Sequence, residues 1–376
     1  MARARVRWSA LALALRLAAC ATQDGRGAER PTATDTGGVA PSREAPSAAA
    51  SSGDGASSPA AAPPAAAATT ASLPPPADPS PLEPDLSAAL HGVRADPPPR
   101  ALTRERHYYV SNEQHHHLYR PTIEGLGGIQ LGVGAEQNYL LAGWARPEVL
   151  VLVDFDQAIV DLHEVYGVLF TSTSSAGELV DAWAFGARRS VARRLEERWP
   201  DPALRKRRLR VYDEARAEVH ARLQRLRARD ARVGVPSFLT DPEQFRRLAA
   251  LWATGRVLAV RGDLTQDRAL TDLAAFARRS RLPVRVLYLS NAEEYFDYVT
   301  GHFTSNLRAL PFDERSVVLH TRGHHGDHYR FVHQRAKDYL AWIAAGVPSW
   351  EELAKRAVPA SDAPGAEELR IIPPPP

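Results

Sequence analysis

The sequence predicts an α/β domain with a mostly parallel sheet, and three observations carry that reading. Residues 127–156 run as strand, glycine loop, helix, strand and terminal acid, the order found in the nucleotide-binding half of such a domain. Residues 149–153 form a continuous aliphatic run of strand length, as a parallel strand buried on both faces requires. From residue 241 onward, β-prone runs alternate with helical patterns, which places helices on both faces of a sheet.

Taken in chain order, Tyr108-Tyr109-Val110 is a short β-prone run, and residues 128–131 read as a strand leading into Gly132-Val133-Gly134. Residues 135–145 suit a helix ended by Pro147. Asp154 closes the next strand, and Ile159, Leu162, Val165, Tyr166 and Leu169 then recur at helical spacing. Residues 187–232 predict two helices broken at Trp199-Pro200-Asp201-Pro202. In the second, Leu209, Tyr212, Val219, Leu223 and Leu226 make an apolar stripe beneath an arginine-rich surface. Asp241 suits an N-cap and Pro242 the first helical position. Strand 256–260, helix 267–279, strand 284–289 and a helix around 293–299 follow. Residues 316–320 and 329–333 read as a terminal antiparallel hairpin joined through 323–328, and helix 335–345 completes the domain.

The ends predict an address rather than a fold. Arg3, Arg5 and Arg7 precede a mostly apolar run at 8–17, and Leu17-Ala18-Ala19-Cys20 resembles the lipobox of bacterial lipoproteins. Residues 1–20 are thus expected to be a signal peptide, with Cys20, the single cysteine, as the lipidated residue of a cell-envelope protein. Ala21 stands where an aspartate would favour inner-membrane retention, so the outer membrane is the expected location. Acylation of Cys20 leaves no thiol for a disulfide or a cysteine nucleophile. Residues 21–101, built from Ala, Pro, Ser, Gly and Asp, predict a disordered linker that spans on the order of 50 Å or more. The domain proper is then 102–372, with 373–376 as a proline tail. Formal charge is +3, but residues 187–232 hold 16 Arg or Lys against 7 Asp or Glu. That basic surface fits an anionic lipid or envelope polymer. Nucleic acid is not expected of an exported protein, and no aromatic platform interleaves with these arginines.

The candidate ligand-binding residues gather where strands end. Gly132 and Gly134 let backbone approach a ligand, and Gln137 and Asn138 open the helix that would face an anion. Asp154 lies where a carboxylate accepts from ribose hydroxyls, while Gln137 breaks the third glycine of G-x-G-x-x-G and so disfavours NAD or FAD. Asp263, after another strand, either contacts a base or caps the helix that begins near Thr265. Ser111, Asn112 and Glu113, and Ser290, Asn291 and Glu293, have two readings. Ser111 with Gln114 and Ser290 with Glu293 fit capping boxes, whereas Glu113, Asn291 and Glu293 could instead serve as ligand or acid/base groups at the sheet edge. His324 and His328 are the metal candidates of a histidine-rich hairpin. Without H-E-x-x-H or cysteine spacing they predict adventitious binding and no built site.

Together, Y-V-S-N-E, G-G-I-Q-L-G-V-G-A-E-Q-N-Y, V-D-F-D, Y-L-S-N-A-E-E-Y and S-N-L-R-A-L-P resemble an uncharacterised bacterial family, often of lipoproteins, over most of residues 108–333. Its members look like class I S-adenosylmethionine-dependent methyltransferases in fold. The resemblance implies a Rossmann-like, mostly parallel sheet of that type, with the Arg-rich helices as an insertion. It also implies that Gly132, Gly134, Asp154 and Asp263 face a cofactor, S-adenosylmethionine, with Asn291 at the substrate edge. The chain departs from active amino-methylating enzymes: an N-P-P-Y motif is absent at 290–293, and Glu136 and Gln137 stand where glycine is common. The leading expectation is a lipid-anchored envelope protein whose domain binds a small molecule or partner without methyl transfer. An active methyltransferase and a non-catalytic adhesin or spacer are the alternatives.

Overall fold

The aliphatic runs pair edge to edge into one eight-stranded sheet. Its strands are β1 (Ile129–Val133), β2 (Val149–Asp154), β3 (Val257–Arg261), β4 (Val284–Ser290), β5 (Val317–His324), β6 (His328–Arg335), β7 (Val358–Pro359) and β8 (Leu369–Ile371). The computed structural model describes residues 79–324, 328–361 and 368–376; the segment 1–20 expected to be a signal peptide, with Cys20, and residues 21–78 of the expected linker lie outside them. Spatial order is β3-β2-β1-β4-β5-β6-β8-β7, with β1 to β5 mutually parallel, β6 antiparallel to β5, and β7 antiparallel to β8. The chain is therefore a mixed α/β fold with a mostly parallel sheet.

Side-chain alternation along the buried strands divides the core into two halves. Leu150, Leu152, Val286, Tyr288 and Leu319 face one half, and Val151, Val153, Leu287, Leu289 and Val318 the other. The first half is covered by α2 (Arg120–Ile123), α3 (Gln137–Ala145), α4 (Gln157–Ser172), α5 (Ala176–Asp181), α6 (Arg188–Arg198), α7 (Pro202–Val233) and α8 (Pro242–Ala253). The second is covered by α9 (Ala269–Ser280), α10 (Phe303–Ala309), α11 (Ala336–Ala344) and α12 (Trp350–Ala354). Asp201 caps α7 through the amides of Ala203 and Leu204, and Asp241 caps α8 through that of Glu243, as their positions predict. Tyr212, Val219, Leu223 and Leu226 of the α7 stripe are buried and Leu209 partly so. Among the described residues, no helix is long and apolar enough to cross a membrane.

Four expectations need correction. Residues 79–101 belong to the folded unit, because Leu82, Leu86, Leu90 and Val93 supply an apolar stripe that α1 (Pro84–His91) lays against the second core half. Alanine-rich composition concealed those four residues. In the same segment Asp96, fully buried, accepts from the amides of Asp263 (3.0 Å), Arg268 (3.1 Å) and Ala269 (3.4 Å), clamping the segment to the loop before α9. The β-prone run 108–110 joins no strand, since its neighbours turn into the cleft. The helix expected near 293–299 shrinks to a single 3-10 turn, Ala292–Tyr295. In the hairpin, β5 starts one residue later and runs four residues further than its aliphatic pattern indicates, β6 starts one earlier and ends two later, and β7 and β8 add to the sheet beyond α12.

Candidate functional site

β1 leads outward to β2 and β3, and the chain then returns to the far side of β1 as β4. Neighbouring connections leave in opposite directions at that point, so a crevice opens at the carboxyl ends of β1 and β4. It is a cavity of about 660 Å³. Its wall includes Ser111, Asn112, Glu113, Gly134, Gln137, Asp154, Asp263, Ser290 and Asn291, all singled out from the sequence.

The glycine loop is built from its own side chains. An added Cβ on Gly132 would stand 1.9 Å from Asn138 Oδ1, so glycine there makes room for Asn138, whose Nδ2 donates to Val133 O (2.9 Å). Gly132 and Asn138 thus hold the loop and do not line the cavity, correcting their reading as ligand-facing. Gly134 does line it, with φ +85, a conformation that favours glycine. Its carbonyl accepts from His163 Nε2 (2.8 Å), while His163 Nδ1 accepts from Tyr139 Oη (2.9 Å). Burial pulls His163 down to about 4, so the ring is neutral in this role. Gln137 lies across Gly134 at 3% exposure, its Nε2 directed at Val133 O (3.4 Å). Its Oε1 meets no partner among the described residues.

Asp154 ends β2 at the cavity wall. Burial pushes its carboxyl up to about 7, against the opposing amides of Asp156 and Gly134 and with the help of the Asp156 charge. Asp156 N donates to it at 2.8 Å. Asp263 closes a turn and does not cap a helix, since α9 begins only at Ala269: its Oδ1 accepts from Thr265 N (2.8 Å) and Thr265 Oγ1 (2.7 Å).

The two Ser-Asn pieces meet, though not as capping boxes. Ser290 has φ +51 and donates through Oγ to Glu113 Oε1 (2.6 Å), and Ser111 Oγ accepts from Glu113 N (3.0 Å). Glu113, 2% exposed, also accepts from Tyr288, Thr321 and His116 Nε2 (2.7 Å). Burial opposes its ionisation, but His116, Ser290 and Thr321 outweigh it and hold the carboxyl at about 2. Glu293 turns to the opposite face and, equally buried, engages His320, Tyr339 and Tyr298 (2.8 Å for the last). Consecutive residues of β5, His320 and Thr321, therefore serve the two carboxylates on opposite faces. Glu113 accepts four side-chain bonds and Glu293 three, so both carboxylates are held by partners within the fold.

The family described as "Domain of unknown function (DUF7790)" matches residues 108–369. The chain belongs to the DUF7790 family. No curated protein matches it. The DUF7790 match covers the cleft wall from Tyr108 to Tyr329, whereas α1, Asp96 and the wall residues between Pro99 and Arg106 precede it.

Several DUF7790 site residues escaped the sequence reading. Asp156 lines the cavity, caps α4 through Ala158 N (2.9 Å) and pairs with His107 Nδ1 (2.6 Å); the second acid of V-D-F-D was its only signal. Glu136 and Arg222 form a fully buried ion pair at 2.8 Å, and Arg222 also donates to Glu113 O (2.6 Å) and Gln114 Oε1 (3.1 Å). Glu136 Oε2 accepts from Ser111 N (3.0 Å), so one arginine of α7 ties the glycine loop to segment 111–114. Nothing in the spacing foretells a pair 86 residues apart. His324 and His328 face each other across the β5–β6 ladder, and their side chains lie outside the described residues, as does His325. Among the described residues, no three His, Cys, Asp or Glu gather as metal ligands.

Proposed function

We propose that the protein is a lipid-anchored envelope protein whose DUF7790 domain binds a small molecule bearing vicinal hydroxyls, of the S-adenosylmethionine or nucleoside type, without transferring a methyl group. One observation carries this reading: in the cavity wall Gln137 Oε1 is buried with no donor among the described residues, and burial raises the Asp154 carboxyl of the same wall despite the backbone amides that donate to it. A ribose supplies two adjacent hydroxyl donors. The strand order at the crevice and the resemblance to class I methyltransferases favour the same ligand class. The binding-only reading rests on Glu113 and Glu293, whose carboxylates are consumed by structural bonds. S-adenosylmethionine is made in the cytoplasm, which agrees with a scaffold retained for recognition.

Calorimetric titration of the full chain with S-adenosylmethionine and S-adenosylhomocysteine is expected to give micromolar binding. Asp154→Asn should weaken it about tenfold, the loss of one charge-assisted hydrogen bond. Affinity should also rise as pH climbs through 7, because hydroxyl donors favour the ionised Asp154 carboxylate. A folded chain that gives no heat would sink the ligand assignment. Methylation of an acceptor by the wild-type chain would instead establish the enzyme alternative.

The address has its own test. Cys20→Ser is expected to move the protein from the membrane fraction to the soluble fraction of its host, and continued membrane retention would count against a lipid anchor.

A further inference from the structure

The mouth of the cleft carries chemistry that a nucleoside leaves unused. Tyr108 from the segment before the first strand, Tyr295 from the turn after β4 and Tyr329 of β6 all line the cavity, together with Glu294 and Asn291. The three tyrosines come from parts of the chain more than thirty residues apart, so local sequence does not explain their meeting. The Tyr295 phenol lies in electrostatic range of Glu294 and Tyr108, and that of Tyr329 in range of Glu294 and Tyr295. Tyr295 leaves 59% of its surface open, and Asn112 Nδ2 fixes Tyr329 by donating to its hydroxyl (2.8 Å).

Glu294 accepts from Gly323 N (3.1 Å) and Asn291 Nδ2 (3.3 Å); the charge of Arg322 reaches it, as that of Arg104 reaches Tyr295, but among the described residues neither arginine forms an ion pair with Glu294. Aromatic faces are negative, and rings grouped around a carboxylate attract bulky, weakly hydrated cations. Tyr108 already takes one: the Arg106 guanidinium rests 4.4 Å from its ring centroid. Tyr295 and Tyr329 hold no cation over their rings among the described residues. A metal ion would need several oxygen ligands, which the described residues of this mouth do not gather.

We propose that the mouth of the cleft binds an alkylated ammonium head group, held between Tyr295 and Tyr329 with Glu294 as counter-ion. This rests on the cleft's being a ligand site and names the charge and shape of what enters beside the hydroxyl-bearing part. The decisive comparison titrates the full chain with choline and with 3,3-dimethylbutan-1-ol, which replaces the charged nitrogen by carbon at the same shape. Choline is expected to bind about tenfold more tightly, or better, than its neutral counterpart. Tyr295→Leu and Glu294→Gln, both at the surface, should each weaken choline several-fold while leaving the melting temperature and the S-adenosylhomocysteine titration unchanged.

Equal affinity for the two probes, or choline binding indifferent to both variants, overturns the head-group site. So does absence of choline binding, and if S-adenosylhomocysteine still binds, the nucleoside reading survives alone. Choline binding with no response to S-adenosylhomocysteine has the converse meaning: the ammonium site stands and the nucleoside reading falls.

Discussion

Arg222→Met is expected to cost the domain about 3–5 kcal/mol of stability, because it leaves the Glu136 carboxylate buried without its counter-charge. Both partners are essentially inaccessible to solvent, at 1% and 0% exposure. Removing the guanidinium would also strip a donor from Glu113 O and another from Gln114 Oε1, so the glycine loop, segment 111–114 and α7 would all lose their common tie. Urea unfolding measures the loss as a lowered midpoint. The paired variant Glu136→Met with Arg222→Met should recover part of it, since two apolar groups of matched size remove the stranded charge. An Arg222→Met chain that unfolds at the wild-type midpoint would mean that the pair contributes nothing to the fold.

Stability should fall as pH drops from about 6.5 towards 4. Burial lowers His117, His163 and His333 to about 4 each, with the Arg229 charge adding to the effect at His117. In that window the unfolded chain takes up protons that the folded chain refuses, so acid favours unfolding; below about 4 both states are protonated and these histidines add no further slope. For His163, wholly buried between Tyr139 and Gly134, the loss is on the order of 3 kcal/mol. Asp154 acts oppositely. Its carboxyl is raised from the ordinary range to about 7, so its contribution is present below about 4 and is lost as pH rises to 7. Asp154→Asn should therefore steepen the rise in stability between pH 4 and 7, and His163→Gln should flatten it. Urea midpoints at pH 5 and 7.5 for the three chains decide this, and three identical slopes would refute both assignments.

What was legible in the sequence follows from range. Strand-length aliphatic runs, the N-caps Asp201 and Asp241 and the stripe along α7 are local patterns, and each appears where its residues place it. The carboxyl-edge position of Asp154 and Asp263 also follows from local order, since a loop after a parallel strand emerges at one edge. The partners of Glu113 and Glu293 were hidden because S-N-E and S-N-A-E both satisfy a capping pattern within four residues. Their actual bonds reach 177 residues to Ser290 in one case and 27 to His320 in the other. Composition misled at 79–101 for a related reason: four well-spaced apolar side chains suffice to dock a short helix, and an average over eighty residues dilutes them.

Asp96 has a mechanical meaning. The chain from residue 79 passes α1, then Asp96, and only afterwards reaches Pro99 and the residues that rim the cavity. A pull applied from the N-terminal side therefore loads α1 and the three amide bonds of Asp96, through Asp263 and the start of α9, before it reaches the rim at Pro99. Like the grip on a cable where it enters its housing, that clamp hands tension to α9 and spares the rim that follows it in the chain.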